Sequence, residues 1–353
     1  MKTIMIGTFP PPVHGMATIN QAIFERLVSA GWDVERLDTS PQKSGNPSLH
    51  RLSRLMTFLP VWKYLLGSNL PNGRVYMALS GGWGQIYDIV TVLLCRIKGM
   101  KCVLHHHSVA YLVKKRIITS LLFQLAGRQA IHVALCKNMK KDLQQKYDCK
   151  RVVVLSNIAL LCPEDLQTRR RKIQTIGYLS NITKEKGGWD LVNLASKIRE
   201  RDWPIKFKIA GPCQDDRLRK ALQGAHEAGD LEWFGPIYGS DKTRFLDSID
   251  VFLFPTQYEN EAEPLVVWEA LLSGVPVIAY DRGCISGQVG EAGKIIPQDI
   301  DFIEAAMKLV GSWMTQPEMY GYCVEAAPKK IMAARRSAGE QWKEFILALE
   351  EEV

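Results

Sequence analysis

Glu261 and Glu269, with seven residues between them, stand in the string FPTQYENEAEPLVVWEALLSGVPVIAY (254–280). Carboxylates are acceptor groups that can take a pair of hydroxyls, as a sugar or a ribose presents them. Glu269 falls inside an apolar, helix-forming segment that ends at Ser273–Gly274, and Glu261 falls in the loop before it. Free N–H groups at the start of that helix favour an anion between the two carboxylates. A cation, Lys186, precedes Gly187 in IGYLSNITKEKGGWDLV (176–192), at a strand-to-helix turn. Lys-Gly at a helix start is common, so alone it reads equally as structure. In GTFPPPVHGMATIN (7–20), Pro10–Pro12 stiffen a loop and Gly15 allows close backbone approach before a helix. This is not a GxGxxG fingerprint, which speaks against a dehydrogenase. In KCVLHHHS (101–108) an extended chain sends His105 and His107 to one side and His106 to the other. No acidic or Cys set completes a zinc site there, so no metal is expected.

The elements that must position these groups alternate along the chain. Candidate strands fall at 2–7, 74–79, 101–106, 131–135 and 151–155, then at 175–179, 205–210, 231–235, 251–255 and 275–280. Helical patterns lie between them, at 17–30, 86–98, 137–146, 187–201, 240–248 and 265–273. Continuous apolar strands separated by helices predict parallel sheets covered on both faces, and the pattern runs twice. The fold class is therefore α/β, with two doubly wound, Rossmann-like domains. Their expected bounds are 1–165 and 172–337, joined by the polar CPEDLQTRRRK (162–172), whose basic run reads as a solvated linker. The final helix, 338–353, is expected to pack back on the first domain.

The 353 residues carry 45 Lys+Arg and 37 Asp+Glu, a net charge of +8 that is unevenly spread. Residues 1–160 hold 21 basic and 7 acidic side chains, a net of +14, whereas 161–353 hold 24 and 30, a net of −6. That split concerns partners and makes an anionic surface a candidate for the first half. No apolar run reaches the ~18 residues of a membrane span. The eight Cys are scattered without a CxxC pair and read as reduced, buried thiols. In SLHRLSRLMTFLPVWKYLLG (48–67), Leu52, Leu55, Met56 and Leu59 fall at helical spacing beside Arg51, Arg54 and Lys63, with Trp62 and Tyr64 as interfacial aromatics. That composition suits an amphipathic helix on an anionic bilayer, although such stripes also form core. Lys114, Lys115 and Arg116 extend the basic side. No reading helix or aromatic platform points to nucleic acid.

EAEPLVVWEALLSGVPVI resembles the E-x(7)-E signature of retaining GT-B glycosyltransferases of family 4, the glycosyl transferases group 1 type, usually EGFGLPxLEAxAxGxPVI. IGYLSNITKEKGGWDLV is similar to the same family's GRLxxxKGxxxL segment. The resemblance implies two domains facing a central cleft, with chemistry there. It puts Glu269 on a nucleotide ribose, Glu261 at the donor sugar and the amides of Leu265 and Val266 against the diphosphate. It likewise puts Lys186 on the diphosphate, Gly15 near the donor, Ile237 and Tyr238 at the nucleobase, and His107 beside the sugar. Two departures stand out. Asn181 replaces the family's Arg, leaving Lys184 or Arg282 to compensate, and Glu263–Pro264 replaces Phe–Gly.

The activity implied is transfer, with retention, from a UDP- or GDP-sugar to a hydroxyl of a lipid-linked saccharide in bacterial polysaccharide, O-antigen or capsule biosynthesis. No cofactor or metal is implied, and the expected location is cytoplasmic, at the inner face of the membrane. An inactive GT-B scaffold, a nucleotide-sugar 2-epimerase and a lipid-binding protein without catalysis stay open as alternatives.

Overall fold

The computed structural model describes residues 2–11, 13–40, 47–68, 73–161 and 172–351, with only the backbone described over 47–52. The expected linker, apart from Lys172, and the side chain of Arg51 lie outside the described residues. The chain divides into two compact units, Met1–Leu161 with Ser337–Val353, and Cys162–Arg336.

Unit 1 is built on six parallel strands, β1 (Thr3–Gly7), β2 (Val34–Asp38), β3 (Arg74–Ala78), β4 (Lys101–His105), β5 (Ile131–Ala134) and β6 (Arg151–Val154), in the order β2-β1-β3-β4-β5-β6. Unit 2 repeats the scheme with β7 (Thr175–Leu179), β8 (Lys206–Ala210), β9 (Glu232–Trp233), β10 (Val251–Phe254), β11 (Val277–Tyr280) and β12 (Gly293–Ile296), in the order β12-β11-β10-β7-β8-β9. Central strands such as TIMIG, RVYMA and VFLF are buried along their whole length. Helices cover both faces of a parallel sheet, so these strands carry no polar alternation. Each Ile, Val or Leu placed there contributes roughly 1.5–3 kcal/mol of burial.

Two strands were not legible in the sequence, β2 and β12. Both are edge strands, and VERLD alternates half-buried with exposed positions, so neither presents an apolar run.

The unit 1 helices are α1 (Gly15–Ser29), α2 (Pro47–Gly67), α3 (Gln85–Ile97), α4 (Ala110–Val113), α5 (Ile117–Ala126) and α6 (Lys137–Tyr147). Those of unit 2 are α7 (Gly188–Glu200), α8 (Asp216–Glu227), α9 (Ser240–Asp247), α10 (Leu265–Leu272), α11 (Ile285–Val289) and α12 (Phe302–Thr315). The last helix, α13 (Pro317–Glu350), is much longer than the sequence suggests and runs through Pro328. Its residues from Ser337 onward belong to unit 1. There Gln341 accepts from the Ser156 amide at 3.0 Å, and Trp342 lies 4.0 Å beneath the Arg26 guanidinium. Among the described residues, no helix is long and apolar enough to cross a membrane.

Candidate active site

The order of the unit 2 strands marks the side on which open parallel sheets take their ligands. The chain runs from β7 outward through β8 and β9, then returns to β10 on the other flank of β7. At such a reversal, the loops leaving the two strands diverge and open a crevice at their C-terminal ends. The loop after β7 carries Lys186, and the loop after β10 carries Glu261. Lys186 Nζ lies 3.1 Å from Glu261 Oε2, 3.4 Å from Ser180 Oγ and 5.5 Å from the centre of the Tyr258 ring. Thr256 Oγ1 donates to the same Glu261 oxygen at 3.4 Å. The turn itself demands glycine at 187, where φ is +81° and a Cβ would stand 2.7 Å from the Pro255 carbonyl oxygen.

Glu269 lies on α10, half-buried, and its Oε1 accepts from Lys242 Nζ of α9 at 2.5 Å. Lys242 carries no signal in the sequence, because only the packing of α9 on α10 brings it there. Pro264 occupies the position before α10, where its missing N–H removes nothing from the helix ladder, and Leu265 and Val266 begin the helix half-buried. Their amides are among the orphan donors of the first turn. Glu263, the other departure from the family pattern, is 6% exposed and accepts from Trp268 Nε1 at 3.1 Å. It fastens the loop to α10. The loop after β11 closes against this one, with the Cys284 amide donating to the Ala262 carbonyl at 2.7 Å.

The remaining unit 2 candidates are more peripheral. Asn181 and Tyr238 are exposed and Ile237 is half-buried in the loop before α9. Arg282 donates to Gln298 Oε1 at 2.8 Å, so its charge is turned toward the loop after β12. Among the described residues, Lys186 and Lys242 are the cations paired with Glu261 and Glu269.

In unit 1, Gly15 opens α1 behind His14, whose Nδ1 accepts from the Ala17 amide at 3.3 Å. His107 follows the C-terminal end of β4, half-buried, its ring 4.1 Å from that of His105. Burial, with His14 nearby, pushes its pKa down to about 3, so it is uncharged at neutral pH. His105 is fully buried, with Tyr76 Oη 2.5 Å from its Nδ1 and Asn20 3.5 Å beyond. His106 turns to the opposite face, toward Tyr111 and His132. Among the described residues, no group of three or more His, Cys, Asp or Glu could hold a metal ion.

The set expected at a membrane surface is divided by the structure. Arg54 is held inside unit 1, donating to Ser80 Oγ at 2.6 Å. Trp62 donates to Thr91 Oγ1 at 3.0 Å and packs with Phe58 and Tyr87, and Tyr64 bonds Glu35. These three side chains are held by hydrogen bonds and ring packing because the inward face of α2 is Phe58, Val61 and Leu65, a different face from the stripe read from sequence. Met56, Leu59, Lys63 and Leu66 do face outward. Lys114 and Lys115 are exposed and Arg116 is half-buried, between the exposed Val113 and Ile117.

Residues 167–330 match the family of glycosyl transferases group 1. An uncharacterized glycosyltransferase of Haemophilus influenzae is 24% identical over 230 residues, 63% of this chain and 62% of that protein, so the match spans less than two thirds of its length. Sucrose-phosphate synthase from Thermosynechococcus elongatus superposes with a TM-score of 0.73 at 14% identity, covering 99% of this chain and 100% of the other. Anabaena HepE in complex with UDP and glucose gives 0.62 at 15% identity, covering 97% and 99%. Residues 167–330 are thus similar to the glycosyl transferases group 1 family, and the two parallel six-stranded sheets give the chain a GT-B fold.

Proposed function

We propose that the protein is a retaining glycosyltransferase that moves a sugar from a nucleoside diphosphate, UDP or GDP, to a hydroxyl of a lipid-linked saccharide, without a metal. The observation that carries this reading is the meeting of Lys186, Glu261 and the start of α10 at the reversal point of the unit 2 sheet, with Glu269 one turn inside the helix. Lys186 and the amides of Leu265 and Val266 take the diphosphate. Glu269, oriented by Lys242, accepts from the ribose hydroxyls, and Glu261 accepts from the sugar. Ile237 and Tyr238 flank the base, and Asn181 donates without adding charge.

During transfer, the bond between the sugar's anomeric carbon and the diphosphate breaks and its electron pair leaves with the phosphate oxygen. The acceptor oxygen bonds to the same carbon, and its proton passes to the departing phosphate. Lys186 stabilises the charge that develops there, and fixed donors of this kind need no reorganisation as it forms. His107, uncharged, serves the sugar as a hydrogen-bonding partner and not as an acid. Lys186 is paired with Glu261, so an incoming diphosphate competes with that carboxylate.

The basic first half, with outward Met56, Leu59, Lys63 and Leu66 and the Lys114–Ile117 stretch, suits an acceptor presented at the inner face of an anionic membrane. The inactive-scaffold alternative draws on Asn181 and on Glu263–Pro264, and the structural role of Glu263 in holding Trp268 accounts for the second departure without loss of the helix-start amides.

The test is a panel of UDP-, GDP- and ADP-sugars offered with and without a lipid-linked saccharide. Acceptor-dependent release of nucleoside diphosphate supports the reading. Conversion of donor alone would replace it with the epimerase, and nucleotide binding without turnover would replace it with the scaffold.

A further inference from the structure

At the N-terminal ends of β5 and β6, away from the strand ends that carry His107, unit 1 forms a half-open cavity of about 350 Å³ between α5 and α6. Phe123 and Tyr147 form its aromatic walls, their rings 5.1 Å apart edge to face. Lys115, Arg128 and Lys150 stand around it against a single carboxylate, Asp148, which pairs with Lys150 and lies 3.9 Å from Arg128. Lys115 lies over the Tyr147 ring at 5.6 Å and makes no ion pair among the described residues. The two helix ends that point here are already capped, by the Gly127, Asp148 and Cys149 amides. Their carbonyls therefore do not require the cations.

His132 lines the same cavity and is 2% exposed. Its Nδ1 lies 3.0 Å from His106 Nε2, and His106 Nδ1 lies 2.8 Å from Tyr111 Oη. One arrangement of protons leaves a single donor of that chain without an acceptor, and on the cavity side, whereas the reverse arrangement strands the buried Tyr111 hydroxyl. Tyr111 donates to His106 Nδ1, His106 Nε2–H donates to His132 Nδ1, and His132 keeps its proton on Nε2. That Nε2–H has no acceptor among the described residues. Cys149, also lining, is a free thiol whose pKa burial pushes up to about 12, so it adds no negative charge. Beside the lining residue Ser120, Ile117 is 90% exposed and Leu121 46%, an apolar margin next to a basic cavity.

We infer that this cavity is a second ligand site, one that takes a phosphate ester on an apolar stem. Lys115 and Arg128 meet the charge, His132 Nε2–H donates to a phosphate oxygen, and Phe123 and Tyr147 flank the stem. A buried neutral donor beneath an excess of cations, three against one carboxylate with Lys115 outside any ion pair among the described residues, is the pattern of an anion site, where charge-assisted hydrogen bonds supply both strength and direction. The volume falls within the range of small-molecule pockets. The site is independent of the nucleotide-sugar reading, since every residue in it belongs to unit 1.

The phosphate could come from a soluble ester or from a lipid head, and the experiment has an arm for each. The full chain is titrated with inorganic phosphate and glycerol 3-phosphate by calorimetry and by the imidazole ¹⁵N shift of His132. In parallel it is floated with phosphatidylglycerol or phosphatidylcholine vesicles. Glycerol 3-phosphate is expected to bind and to move the His132 resonance. The surface variant Lys115→Ser with Arg128→Ser is expected to weaken binding at least about tenfold, and His132→Phe to abolish it. Lys114→Ser, outside the lining, is expected to bind as wild type does. Binding of the soluble ester supports a metabolite source. Flotation on phosphatidylglycerol alone, lost in the Lys115/Arg128 variant, supports a lipid head. No binding in either arm, or binding that neither the surface variant nor His132→Phe changes, overturns the proposal.

Discussion

Replacing Gly283 with alanine adds one methyl group where the loop after β11 closes on the loop that carries Glu261. Gly283 has φ +56°, and a Cβ there would lie 2.4 Å from the Ala262 carbonyl oxygen and 2.6 Å from that of Glu261. Holding an alanine in the left-handed region costs roughly 1–2 kcal/mol. Relieving the two contacts adds about 1 kcal/mol or more of overpacking strain. A total of about 2–3 kcal/mol lowers the melting point of a unit this size by roughly 5–10 °C. The backbone that must move is that of Glu261 itself, so donor turnover is expected to fall as well, by up to about a hundredfold for a 1 Å displacement. Gly287→Ala is the control, because nothing lies within 4 Å of its Cβ position and its φ is ordinary. Scanning calorimetry and donor kinetics on both variants make the comparison. If Gly283→Ala melts and turns over like Gly287→Ala, the loops do not hold each other as described.

Three further outcomes are expected. His105, His106 and His132 are uncharged in the fold, burial lowering each pKa, but take up protons when unfolded below about pH 6.5. Stability should then fall as pH drops from 7.5 to 5, by up to ~1.4 kcal/mol per histidine per pH unit. Buried Asp88, raised to about 6, works in the opposite direction and offsets about one of them. Urea midpoints that stay level across that range would contradict the buried neutral cluster. Lys242→Met is expected to weaken nucleotide binding by about 1 kcal/mol, roughly fivefold in Kd, while leaving the melting point within a degree or two. Unchanged affinity would remove Lys242 as a positioning residue. Trp62→Ala should cost about 2–3 kcal/mol through lost packing on Phe58 and Tyr87, whereas Lys63→Ser should be neutral. The reverse order, read by chemical denaturation, would mean that α2 packs through its other face.

Much of the fold was legible because buried parallel strands announce themselves as apolar runs, and those of both units fell where the runs lie. β2 escaped because an edge strand faces water and reads VERLD, with no run to find. The glutamate pair and Lys186–Gly187 were legible as motifs, since loop chemistry at a sheet reversal needs particular residue types at fixed spacing. Their pairing at 3.1 Å was not, because it depends on two loops distant in sequence meeting beside β7 and β10. Lys242 was hidden for the same reason. Arg54 and Trp62 show the limit of composition. Charged and aromatic side chains at helical spacing fit a membrane face and a packed face equally well, and only the phase of Phe58, Val61 and Leu65 decides between them.

In the proposed function, unit 2 binds a nucleoside diphosphate through Glu269, Lys186 and the start of α10. Calorimetric titration of UDP and GDP into wild type, Glu269→Ala and Lys186→Ala tests it most directly. Hydrogen bonds to charged groups are worth about 1.5–3 kcal/mol each, so either variant is expected to lose roughly tenfold to a hundredfold in affinity. Wild-type affinity for the preferred nucleotide in both variants would contradict the claim.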